Sequence, residues 1–88
     1  MPKLTLSWEQ RDTPASDLGT THRIEGDAES VRRVVKLLTP GTRNDTVRNL
    51  SLSTGECEIA RARNSKEVKD VDETLRQHIL NARACRLV

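Results

Sequence analysis

Residues 47–63, VRNLSLSTGECEIARAR, hold two short apolar alternations on either side of a Thr-Gly, and the second ends in arginines. Period-two alternation belongs to half-buried strands, and a glycine between two such runs is the signal of a β-hairpin. If Thr54-Gly55 is a two-residue turn, Ser53 faces Glu56, Leu52 faces Cys57, Leu50 faces Ile59 and Arg48 faces Arg61. The two apolar cross-strand pairs recommend that register, since a slip of one residue would turn one strand's apolar set to the wrong face. Its cost is Arg48 against Arg61, a like-charge pair that must splay into water, meet an internal acid or await an anion.

The rest of the chain supplies partners for that hairpin. Leu4, Leu6 and Trp8 alternate with polar residues as a first strand, and QRDTPASDLG is punctuated as a loop. Residues 20–25, TTHRIE, read as a short edge strand or an extended lead-in, with Thr20, His22 and Ile24 on one face. Asp27 is placed to cap a helix through AESVRRVVKLL, in which Val31, Val34, Val35 and Leu38 form the apolar stripe and Glu29, Arg32, Arg33 and Lys36 the solvent side. Thr39-Pro40-Gly41 ends it. A second amphipathic helix opens at Ser65 or Asp70, with a capping-box spacing from Asp70 to Glu73. Its inner stripe is Val68, Val71, Leu75, His78, Ile79 and Ala82, and Lys69–Glu73 and Asp72–Arg76 are its i,i+4 pairs.

The expected fold is therefore α+β in the order β-β-α-β-β-α, a four-stranded, mainly antiparallel sheet with two helices on one face. With 88 residues, residues 1–88 form a single small binding domain. Apolar residues are only 34% of the chain and Trp8 is its sole aromatic residue, so the core must be small and mostly aliphatic. The uncovered sheet face is expected to carry Lys3, Thr5, Ser7 and Glu9 with Asn49, Ser51, Glu56, Glu58, Ala60 and Ala62.

Catalytic chemistry finds no foothold. The sequence has no G-x-S-x-G, G-x-G-x-x-G or phosphate-loop spacing, and Cys57, Cys85, His22 and His78 lack the close spacing of metal ligands. The expectation is no enzyme, no metal and no cofactor, with two reduced, buried or half-buried cysteines preferred to one disulfide and Cys57 in the core against Leu52. No apolar run is long enough for a bilayer and the first residues lack the layout of a secretory signal, which makes the cytoplasm the default compartment.

Charge is the remaining clue. The net charge is +2, but residues 1–30 hold three bases against six acids, whereas residues 31–66 hold eight bases against three acids. The basic candidates for an interaction are Arg32, Arg33, Lys36, Arg43, Arg48, Arg61 and Arg63. The acidic alternative is Glu9, Asp12, Asp17, Glu25, Asp27 and Glu29, which could fit a basic groove made for nucleic acid. Segregated charge orients and speeds encounter with a complementary surface. The reading is a non-catalytic protein-binding regulator or inhibitor, with a nucleic-acid-processing complex as one partner. The alternative is a direct DNA or RNA binder using the hairpin base and the first helix, against which stands the lack of aromatic stacking residues. Strand edges leave room for a homodimer, although neither edge carries a marked signature for it.

Overall fold

The computed structural model describes residues 3–13, 15, 17–38, 46–55 and 57–86, with 82–86 as backbone. Strands β1 (Leu4–Arg11) and β2 (Gly19–Gly26) precede helix α1 (Ala28–Leu38). Strands β3 (Val47–Thr54) and β4 (Cys57–Asn64) then lead through a single 3-10 turn, Ser65–Glu67, into helix α2 (Val68–Arg86). The strands form one antiparallel sheet in the order β2-β1-β3-β4. Both helices cover the same face, as the α+β reading requires.

That face holds the core. Leu4, Leu6 and Trp8 of β1 and Leu50 and Leu52 of β3 meet Val31 and Val35 of α1 and Val68, Val71 and Leu75 of α2, all of them buried. Strand β2 contributes Ile24 and stacks the His22 ring on Trp8, with centroids 5.3 Å apart. It is a full eight-residue edge strand, longer than its thin apolar content suggested.

One irregularity brings an extra residue into the core. Between the Ser7–Ser51 and Glu9–Arg48 pairs, Asn49 and Leu50 together oppose Trp8, and Asn49 takes a left-handed φ of 52°. Asparagine tolerates that conformation better than most residues. The bulge resets the alternation, so Val47 and Leu50 are both buried although three positions apart.

The hairpin register differs from the one the apolar pairs suggested. Thr54 pairs with Cys57, Ser53 with Glu58, Leu52 with Ala60, Ser51 with Arg61, Leu50 with Ala62 and Arg48 with Asn64. Leu50 therefore does not face Ile59, and Arg48 does not face Arg61. Thr54 belongs to β3 and is not a turn residue; Gly55 follows it with a positive φ of 59°, as tight hairpin turns require, and Glu56 lies outside the described residues. A second bulge between Leu52 and Ser53 leaves Ile59 unpaired, and both Ile59 and Ala60 pack against the core.

Packing explains the preference. Helix α2 lies over β4, where the small Ala60 and Ala62 side chains let Val68, Val71 and Leu75 approach the sheet. Ala60 and Ala62 consequently leave the open face to which alternation had assigned them. Cys57 likewise leaves the expected core position and is an exposed free thiol opposite Thr54. The Cys85 side chain and the Pro40-Gly41 helix stop lie outside what is described.

Local hydrogen bonds set the helix entries. The Ser30 amide donates to the Asp27 carboxylate at 2.7 Å, as expected of an N-cap, and holds it below the usual carboxylate pKa; Arg33 adds a smaller effect of the same sign. A group with a lowered folded pKa stabilises the native state above its unfolded pKa, and the contribution is lost as pH falls through the folded one. Asp27→Ala should therefore lower the melting temperature near about pH 7, and its difference from wild type should shrink as pH falls below the reference value of 3.8. Paired thermal melts at neutral and acidic pH measure this directly.

The second helical segment opens at Ser65, one of the two expected positions, with Asn64 rather than Ser65 as the capping residue. Asn64 caps the 3-10 turn by accepting from the Lys66 amide at 3.0 Å, and α2 already runs by Val68, so neither Ser65 nor Asp70 is its N-cap. Buried Ser65 accepts the Val47 amide at 3.0 Å, tying this entry to the start of β3. Serine is needed there because a buried amide without a partner is costly.

Candidate functional site

The sheet separates the candidate bases into two groups. Glu9 and Arg48 are opposed across β1 and β3, and Arg61 is opposed to Ser51, on the face away from the helices. Arg63, two residues beyond Arg61 on β4, is exposed on the same side. Arg32, Arg33 and Lys36 instead project from α1 on the helical side. Among the described residues, no common basic rim therefore joins the hairpin to the first helix. Arg43 lies outside the described residues.

The open sheet face satisfies much of its own charge. Arg11 binds Glu9 at 3.1 Å and Arg23 binds Glu25 at 3.3 Å. Glu58 accepts from Arg61 at 3.1 Å and from the Ser51 hydroxyl at 2.9 Å, and these contacts, Arg61 foremost, hold its pKa below the ordinary carboxylate value. The Arg48 guanidinium donates to the Val47 carbonyl at 3.0 Å. Such exposed pairs add little stability, but a ligand anion would have to compete with the carboxylates already in place.

The acidic alternative is also dispersed. Glu9 and Glu25 are engaged on the open face, Asp12 and Asp17 are exposed in the β1–β2 connection, Asp27 caps α1, and Glu29 stands on the helical side. Six acids on three parts of the molecule do not make one patch.

The helical side differs in kind. A groove of about 280 Å³ runs between α1 and α2, lined by Glu29, Arg32, Arg33 and Lys36 from the first helix and by Arg76, Ile79 and Leu80 from the second. The α1 residues follow the i, i+3, i+4, i+7 spacing that places side chains on one helix face. Val31 and Val35, which are buried, anchor the opposite face and so aim this one outward.

Arg32 crosses between the helices to Asp72 at 3.3 Å, with both side chains largely covered, and Arg76 holds Glu73 at 3.6 Å. Neither of the expected i,i+4 pairs of α2 forms, since Asp72 turns to Arg32 and Glu73 to Arg76. Arg33 and Lys36 have no ion pair among the described residues. They stand beside half-buried Ile79 and Leu80, which is 45% exposed. Cationic side chains around an aliphatic floor can receive a carboxylate-bearing, partly apolar ligand surface.

The α2 contribution was hidden in the sequence because Ile79 fitted the core stripe and Arg76 an intrahelical pair. The usable signal was the row Asp72, Arg76, Ile79 and Leu80, which shares one helix side and can meet a neighbouring helix. Among the described residues no group of three or more His, Cys, Asp or Glu side chains could hold a metal ion, and no helix is long and apolar enough to cross a membrane. No protein-family model, curated protein or solved structure matches this chain.

Proposed function

We propose that this chain is a small non-catalytic protein-binding regulator whose recognition surface is the basic groove between α1 and α2. The partner it fits is an acidic protein segment carrying aliphatic side chains. The observation that carries this reading is the placement of Arg33 and Lys36, which form no ion pair among the described residues, beside the exposed Leu80. Positive potential in a concave surface steers an acidic partner, and partly apolar contacts with an arginine rim are the usual composition of an interface centre. Binding there would regulate the partner by covering its acidic surface.

Direct DNA or RNA binding draws on the same α1 bases and is the weaker reading. Glu29, Asp72 and Glu73 interrupt a phosphate track along the groove, and Arg48, Arg61 and Arg63 stand on the far side of the sheet. A single duplex lying in the groove would not reach them. Fluorescence anisotropy with three labelled probes distinguishes the readings: a helical peptide of Glu and Leu, a Glu-only peptide, and a DNA duplex. At about 150 mM salt the Glu-Leu peptide should bind tightest, because it uses the aliphatic floor as well as the charge. Duplex binding that outranks both peptides, with a steep salt dependence, overturns the proposal.

A further inference from the structure

We propose that two copies of this chain associate through their β2 edges, antiparallel about a two-fold axis at Ile24, into a continuous eight-stranded sheet. Strand β2 ends the sheet and pairs with β1 over all eight residues without an irregularity. Natural edge strands are commonly blunted by bulges, prolines or charged side chains; GTTHRIEG has no bulge or proline, and its two charges, Arg23 and Glu25, are opposite in sign and so can pair across a two-fold axis. The opposite edge, β4, is interrupted at Ile59 and roofed by α2.

The residues of β2 select the register. Pairing about Ile24 sets Arg23 against Glu25 of the second copy and Glu25 against Arg23 of the second copy, so symmetry makes each charge pair twice. Both side chains are well exposed, at 68% and 52%, and share the open face, where they already meet within the strand. Ile24, half-buried in one copy, would meet its own counterpart on the helical face. Sliding the register to centre Arg23 would oppose two arginines, which is unfavourable.

The helices fit the same arrangement. Helix α1 lies over both β1 and β2. With strands spaced about 4.8 Å apart, two α1 helices placed over such a joined sheet would lie roughly 10 Å from each other, which is a normal helix packing distance. At 100° per residue, Val34 and Leu37 fall on the flank of α1 away from Arg32, and hence away from α2. Leu37 is 84% exposed there, and a second α1 would cover it. The charge complementarity, the spacing and the exposed leucine together identify a second copy as the occupant of this edge. Because α1 begins at Ala28, strand pairing is limited to residues 22–26 and the dimer should be modest in affinity.

Sedimentation equilibrium of the full chain from about 10 μM to 1 mM tests the proposal. Wild type should show a concentration-dependent dimer. R23E and E25R should each weaken it by roughly ten- to hundred-fold, because two attractive cross-strand pairs become repulsive. The swap R23E/E25R should restore it, and L37E should weaken it while leaving the circular dichroism of the fold unchanged. A monomer at every concentration overturns the proposal, as does a dimer indifferent to R23E or one that the charge swap fails to restore.

Discussion

Leu50→Ala should lower the unfolding free energy by about 2–5 kcal/mol, the range for truncating a buried leucine that leaves a cavity. Leu50 is fully buried opposite Ala62, and that small partner offers nothing to collapse into the space. For a chain of 88 residues, total stability is on the order of 4–13 kcal/mol, so this one change should remove a large share of it. Ile59→Ala should cost less than Leu50→Ala, because Ile59 sits at a bulge and is only partly buried. Urea titration of both variants reads the order from the midpoints at constant slope. Equal losses would contradict the difference in burial between the two residues.

Reversing two charges in the groove should have the largest effect on binding. Arg33 and Lys36 are exposed and make no ion pair among the described residues, so R33E/K36E should leave the fold intact. Each exposed attraction to an acidic ligand is worth about 0.2–1 kcal/mol, and reversal adds a repulsion of similar size. The double variant should therefore bind the Glu-Leu peptide roughly four-fold to nearly a thousand-fold more weakly. The loss should lessen at high salt, where screening removes attraction and repulsion alike. Alanine at Arg48, Arg61 and Arg63 should leave peptide binding unchanged, since these residues occupy the other face. A loss shared equally by the two sets of variants would return the interaction to a diffuse charge effect.

The element order was legible because β1, α1 and α2 each show a clean period: Leu4-Leu6-Trp8 for the strand, and the Val31-Val35 and Val71-Leu75 stripes for the helices. The hairpin register was not. Leu52 with Cys57 and Leu50 with Ile59 satisfied local pairing as well as Leu52 with Ala60 and Leu50 with Ala62. The choice was made by α2, which lies over β4 and favours small side chains beneath it. Local alternation is also blind to bulges: nothing in a regular strand would place Val47 and Leu50 on one face, and Asn49 was the only residue there suited to a left-handed φ.

The candidate site was half legible for a related reason. Glu29, Arg32, Arg33 and Lys36 announce one solvent-facing side of α1 by their spacing. Their neighbours on α2 depend on how two helices settle on a sheet, a tertiary property with no local signature. Arginines at 48, 61 and 63 share the basic 31–66 stretch with those of α1, yet the sheet lies between them.

The most direct test of the groove as the recognition surface is a ¹⁵N NMR titration of the full chain with the Glu-Leu peptide. Amide shifts should change along residues 29–36 and 76–80, while those around Arg23, Arg48 and Arg61 stay in place. Changes concentrated on the open sheet face, or none at saturating peptide, would contradict the account.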